Sequence, residues 1–230
     1  MEINIVVITG AGSGLGASLA KKYSEQGCHV CLLGRTRAKL ERTAALLNGG
    51  YSMYEVDVAV KKDVARVIQS IEKEVGPIDL FVNNAGTGAF ALAEEIDEQA
   101  IHHMIDSNLK GTIFCTQEVL PFMKKRNRGL IVNVISTAGK VGKVTESVYC
   151  ASKFGVRGFT ESLALELKDT PIRVLAAYMG GMRTEFWDGI FTEERTKGLM
   201  DPDDVADIII ESIKPRNLLA VPEVVITNKK

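Results

Sequence analysis

The amino-acid sequence predicts a single-domain α/β fold, a doubly wound parallel sheet of about seven strands with helices on both faces. Two observations carry that expectation. Short β-branched runs alternate with longer stretches of helical period along the whole chain, as in a parallel sheet covered on both sides. No repeat, low-complexity tract or interdomain linker interrupts them. The 230 residues, 46% hydrophobic and 25% charged, have the composition of an ordinary folded domain and exclude disorder and collagen-like repeats. With 28 Lys and Arg against 29 Asp and Glu, the net charge of −1 offers no field for nucleic acid or an anionic membrane. The uncharged stretch Ile3–Ala20 is broken by Asn, Thr, Ser and four Gly and preceded by Glu2. It reads as neither signal peptide nor membrane span, so the expected compartment is cytoplasmic.

In chain order, the strands are expected at Ile3–Thr9, His29–Leu33, Ser52–Val56, Leu80–Asn83, Leu130–Ser136, Arg173–Tyr178 and Leu219–Ile226. A helix from Arg37 to Leu47 stops at Asn48-Gly-Gly50. Val64, Val67, Ile68, Ile71 and Val75 recur at three- and four-residue steps before the stop signal Gly76-Pro77, marking one apolar helix face. Two longer helices are expected over about Lys110–Arg126 and Val148–Leu167. The basic cluster Lys124–Arg128 falls at a helix end, where cations complement the dipole and solvate readily. Cys28 and Cys31 share a Cys-x-x-Cys spacing, but on a strand residues three apart face opposite ways, so neither a metal site nor a disulfide is expected. Cys115 and Cys150 read as buried thiols, and no metal ligands are assigned.

The first strand runs into Thr9-Gly-Ala-Gly-Ser-Gly-Leu-Gly16 and then an apolar helix. Glycines there let the backbone turn sharply and approach a pyrophosphate at the helix N-terminus. The strict G-x-G-x-x-G string fails from Gly10, because Leu15 stands at its third glycine. NAD sites place a carboxylate on the ribose 2′-hydroxyl roughly 20 residues beyond the loop. Here no Asp or Glu occurs between Gln26 and Leu40, and the second strand ends in Gly34-Arg35-Thr36-Arg37. Arg35 offers a guanidinium for a 2′-phosphate, so NADP(H) is the expected cofactor, with NAD(H) possible. Alternatively, Arg35 merely opens the next helix on the surface.

Further on come Asp57-Val58, Asn83-Asn-Ala-Gly86, Asn108, Ser136 and Tyr149-Cys-Ala-Ser-Lys153. Tyr149 and Lys153, four apart, share a helix face. An ammonium beside a phenol favours phenolate and draws its pKa down from about 10. Ser136 closes the central strand, where its hydroxyl could meet a substrate oxygen. Joined with the glycine loop in this order, these strings resemble the short-chain dehydrogenase/reductase family over essentially the whole chain.

That resemblance implies a Rossmann-type NAD(P)-binding domain over residues 1–230 and assigns roles. Tyr149 is the general acid in reduction or base in oxidation, Ser136 polarises the carbonyl, and Lys153 binds the nicotinamide ribose and tunes Tyr149. Asn108 holds a water linking Lys153 to solvent. Gly10, Gly12, Ser13, Gly14, Leu15, Gly16 and Arg35 hold the phosphates, Asp57 and Val58 contact the adenine, and Asn83, Asn84, Ala85 and Gly86 run beside the adenine ribose. Two features depart from the family. Its usual Pro-Gly after the sixth strand is Met179-Gly180 here, which removes a rigid turn, although Met182 and Thr184 keep the carboxamide- and phosphate-contacting positions. A basic residue common in the glycine loop of NADP-dependent members is Ser13 here.

Substrate choice in such folds lies in loops at the strands' carboxyl ends, here residues 87–96, 137–147 and 180–198. Phe186, Trp187, Ile190 and Phe191 could lid a pocket for an uncharged carbonyl or simply pack a short helix. Lys140 and Lys143 could instead receive an acidic keto compound or remain solvated. Two functions follow: an NADP(H)-dependent carbonyl reductase or alcohol dehydrogenase acting on a small or medium carbonyl or secondary alcohol, and a non-catalytic dinucleotide-binding or redox-sensing protein. By family resemblance and the general habit of soluble enzymes, a homodimer or homotetramer is expected.

Overall fold

A computed structural model describes residues 2–216 and 219–229, leaving aside the side chain of Glu193. Among the described residues it holds seven parallel strands, β1 (Ile5–Thr9), β2 (His29–Gly34), β3 (Tyr51–Glu55), β4 (Leu80–Asn83), β5 (Leu130–Val134), β6 (Arg173–Met179) and β7 (Glu223–Ile226). Their order is β3-β2-β1-β4-β5-β6-β7, so the winding reverses between β1 and β4. The helices are α1 (Gly14–Glu25), α2 (Arg37–Ala44), α3 (Lys61–Ser70), α4 (Glu98–Met104), α5 (Gly111–Lys125), α6 (Ser147–Glu166), the short α7 (Glu193–Thr196) and α8 (Pro202–Ile213). A π-helical turn, Ile71–Val75, extends α3, and another, Ile105–Lys110, joins α4 to α5.

β1 is buried along its whole length because strands flank it and helices cover both faces. Its side chains alternate between two cores, as the strand's period of two requires. Val6 and Ile8 pack with Leu15, Leu19 and Ile209, whereas Ile5 and Val7 pack with Val64, Ile68, Phe81 and Val119. Cys28 falls in the first core and Cys31 in the second, and all four cysteines are free and buried.

Several boundaries differ from the sequence expectation. β7 begins at Glu223, not Leu219: Pro222 has no N–H for a ladder, though its carbonyl accepts from Ala176, and Leu219 lies exposed. β5 ends at Val134, so Ser136 lies beyond the strand and caps a 3₁₀ turn instead. β1 starts two residues later than expected, β3 one residue earlier, and α2 stops at Ala44. Within the basic cluster, Arg126 pairs with Glu72 at 3.0 Å and Arg128 with Asp79 at 2.9 Å. Those pairs tie the end of α5 to the turn after α3 and to the start of β4, although Arg128 stays partly in solvent.

Candidate active site

A cavity of about 480 Å³ opens at the carboxyl edge of the sheet, over the β1/β4 reversal, where open α/β sheets bind ligands. Its floor is stapled by Thr9, a residue for which the sequence reading named no role. The Thr9 hydroxyl accepts from the amides of Asn84 at 2.9 Å and Ala85 at 3.0 Å, and the Asn84 side chain donates to the carbonyls of Thr9 at 2.9 Å and Gly10 at 3.2 Å. The loops after β1 and β4 therefore touch. At Gly16 a Cβ would lie 2.3 Å from the Gly10 carbonyl oxygen, and Gly10 itself has φ +64°, so neither position accepts a side chain without moving backbone.

The residues present fit a phosphorylated dinucleotide. Gly12, Ser13, Gly14 and Leu15 line the cavity at the start of α1, and Arg35, Thr36 and Lys39 line it at the start of α2. Neither helix has an acidic residue in its first turn or a side-chain cap, so orphan amides and positive dipole ends are left for a ligand's phosphates. By contrast, Asp97 caps α4, and Asp201 caps α8 with Asp203 and Asp204 in its first turn.

Of the residues singled out in the sequence, Gly10, Gly12, Ser13, Gly14, Leu15, Arg35, Asn84, Ala85, Gly86, Ser136, Tyr149, Lys153, Met182 and Thr184 line this cavity. Gly16, Asp57, Val58, Asn83 and Asn108 are not among its lining residues. The Asp57 carboxylate accepts from the Ala59 amide at 2.9 Å, and Val58 packs where a Cβ on Gly111 would fall. Asn83 is interior, donating to the Thr116 hydroxyl at 3.2 Å and to Asn133 at 2.8 Å, while Asn133 reaches Thr160 at 2.8 Å. This polar ladder fastens α5 and α6 to the sheet.

At the reactive end, α6 brings Tyr149 and Lys153 to the wall shared with Ser136. The Lys153 ammonium lies 5.7 Å from the centre of the Tyr149 ring and donates to the Val134 carbonyl at 3.3 Å. Burial pushes the Lys153 pKa down to about 8. Burial also pushes the Tyr149 phenol above its ordinary value, while a hydrogen bond with Ser136 opposes the rise. Thus Lys153 does not draw the phenol down as expected. Both groups are desolvated, and burial is the largest influence on each. Tyr149 remains a neutral phenol at pH 7.

Asn108 is buried in the π-helical turn. Its side chain accepts from the Thr87 amide at 2.8 Å and donates to the Thr87 carbonyl at 2.9 Å and to Ser152 at 3.0 Å. It therefore ties the loop after β4 to α6, next to Tyr149.

The outer wall is aromatic. Phe90 packs edge-on against Tyr149 with centroids 5.5 Å apart and stacks on Trp187 at 5.7 Å; Phe186 lies 6.0 Å from Tyr149. Phe90 and Glu146 went unnamed in the sequence reading, and only their place in the loops flanking the motifs could have signalled them. The turn that lost its proline is held otherwise. Met182 pairs with Met200, and the Trp187 indole donates to the Met182 carbonyl at 2.9 Å. Lys140 does not line the cavity: Glu223 holds it at 2.9 Å, beneath the Tyr178 ring.

A cleft lined by a glycine-rich turn, two helix N-termini, a phenol, an ammonium and a hydroxyl is that of a nucleotide-dependent oxidoreductase. The comparisons with known proteins agree. Residues 4–195 match the short chain dehydrogenase family model. An uncharacterized oxidoreductase of Staphylococcus epidermidis is 32% identical over 222 residues, covering 96% of each chain. A 3-ketodihydrosphingosine reductase of Bacteroides thetaiotaomicron is 35% identical over 93% of this chain and 76% of its own. A serine dehydrogenase solved in closed form with NADP+ superposes with a TM-score of 0.90 at 30% identity, over 96% of this chain and 93% of that one. The chain belongs to the short-chain dehydrogenase/reductase family, whose cofactors are NAD(P).

Proposed function

We propose that this protein is an NADP(H)-dependent oxidoreductase that interconverts a small or medium carbonyl compound and its secondary alcohol, with Tyr149 as the general acid. The observation that carries the reading is the convergence of Ser136, Tyr149 and Lys153 on the cavity that also receives two uncapped helix N-termini. When bound, the nicotinamide supplies the hydride chemistry. The protein orients and moves the proton. Ser136 holds the carbonyl oxygen against Tyr149, the neutral phenol gives its proton to that oxygen as negative charge develops, and the Lys153 ammonium stabilises the phenolate left behind.

Arg35, exposed at the end of β2 on the cavity wall, supports NADP(H) over NAD(H), because no carboxylate stands beside it on β2 or in the turn that follows. The NADP+ in the related serine dehydrogenase is consistent with this, and the keto substrate of the Bacteroides reductase favours the carbonyl direction. The four free thiols suit a reducing cytoplasm. No described helix is long and apolar enough to cross a membrane. Exposed Phe154 and Leu165 on α6 support burial against a second copy, in a homodimer or homotetramer; sedimentation as a monomer alone would remove that assignment.

The deciding experiment is reduction and oxidation assayed over ketones, diketones, keto acids and keto esters with both cofactors. Turnover of at least one carbonyl with NADPH is expected. Tight NADPH binding with no turnover across the panel would instead identify a dinucleotide-binding or redox-sensing protein.

A further inference from the structure

Two carboxylates line the cavity, Glu146 and Glu185, and Glu185 is held by Lys39 at 2.6 Å. Glu146 stands at the N-terminal boundary of α6 without making a capping hydrogen bond, three residues before Tyr149, and lines the cavity. Residues at i and i+3 lie roughly 5–6 Å apart on a helix surface. Its charge is felt at the tyrosine, being one of the influences that raise the Tyr149 pKa. Only 19% of its side chain is exposed, and its ion-pair neighbour, Lys143, stands 3.9 Å away, too far for a hydrogen bond. Among the described residues no hydrogen bond reaches its carboxylate. Burial correspondingly raises its own pKa, against the pull of Lys143. A half-desolvated carboxylate with unused acceptor capacity, aimed at the space beside the proton donor, is costly unless a ligand completes it. Phe186 and Trp187 line the same space, with Phe90 packed behind them, and Lys140 is drawn away from it by Glu223.

Resting on the oxidoreductase reading above, we propose that Glu146 is a specificity-determining residue and that the substrates are ketones with a flat apolar body and a hydrogen-bond donor, hydroxyl or amine, on the carbon next to the carbonyl. With the carbonyl oxygen at Tyr149 and Ser136, the donor on the adjacent carbon faces Glu146 and the flat body lies along the aromatic wall. A carboxylate at that carbon meets Glu146 with like charge, and Lys143 is already matched. Acidic keto compounds are therefore disfavoured.

Trp187 is the chain's single tryptophan and lines the cavity, so its fluorescence reports binding directly. Three probes share one ring and differ only at the adjacent carbon: α-hydroxyacetophenone, acetophenone and benzoylformate. On the NADP+-loaded protein the hydroxyketone should bind about tenfold or more tightly than acetophenone, the scale of a hydrogen bond to a charged acceptor. Benzoylformate should bind weakest. In Glu146→Gln the hydroxyl advantage should shrink to about threefold or less, and benzoylformate should tighten, with a melting temperature no lower than that of the wild type. Equal affinities in the wild type, no binding of any probe, or selectivity that survives Glu146→Gln would each overturn the proposal. Turnover of the same probes with NADPH separates the two readings. Selective binding that Glu146→Gln abolishes, without turnover, upholds the role of Glu146 and removes the oxidoreductase; turnover without selectivity does the reverse.

Discussion

The Lys39 ammonium lies 2.6 Å from the Glu185 carboxylate, joining α2 to the segment after β6 although 146 residues separate them. Arg42 adds a second contact to Glu185 at 3.6 Å. Both Lys39 and Glu185 line the cavity, so the pair spans its mouth. Exposed pairs of this kind contribute at most about 1 kcal/mol to stability. The effect of Glu185→Gln should therefore appear in cofactor kinetics: NADPH dissociation, followed by stopped-flow fluorescence, speeds up several-fold while the melting temperature barely moves. Salt should accelerate release from the wild type more than from the variant, which has already lost the exposed pair.

Tyr149→Phe removes one hydroxyl and keeps the ring packed on Phe90 and Phe186. The fold and NADPH affinity should persist while turnover falls by about 10² or more, the scale of general acid–base catalysis. Near-wild-type turnover would show that the proton comes from another group.

The pH dependence follows from Lys153. Its pKa is lowered to about 8, so the ammonium is present below that pH and lost above it. Reduction should decline through an alkaline limb near this value, and Lys153→Met should be slow at every pH and lack the limb. The unfolded lysine titrates higher, so the unfolded chain holds the extra proton between the two values and stability rises with pH across that window. Below it the buried charge opposes folding, and Lys153→Met should raise the melting temperature at neutral pH. An unshifted or lowered melting temperature would contradict that burial cost.

Arg35→Asp should reverse the cofactor preference. The guanidinium that can pair with a 2′-phosphate is replaced by a carboxylate that repels it and can accept from a ribose hydroxyl. Titrations of NADPH and NADH on both proteins check this; equal wild-type affinities, or a preference unmoved by the substitution, would remove Arg35 from the site.

Gly16→Ala should be severe for its size. The added Cβ meets the Gly10 carbonyl at 2.3 Å and the Asn84 side chain at 2.7 Å, and backbone cannot swing aside. A loss of about 1–3 kcal/mol and weakened cofactor binding are expected, read by thermal melting and titration.

The sheet, its parallel sense and the shared helix face of Tyr149 and Lys153 were legible in the sequence, whereas Ser136, expected to close a strand, lies beyond its end. They are written in local signals: period-two and period-3.6 apolar runs, a glycine-rich strand-to-helix turn, and two residues four apart on one helix. The strand order needs long-range pairing, and only the structure shows that Gly10 and Ala85 meet at the reversal between β1 and β4. The same holds for Lys39 and Glu185, for Glu146 beside Tyr149, and for Lys140 being drawn off by Glu223. Each is a contact between segments that no periodicity links. The pKa of Tyr149 shows the distinction most sharply. The i, i+4 spacing placed an ammonium near a phenol, but burial, a property of the packed cavity, decided which way the phenol moved.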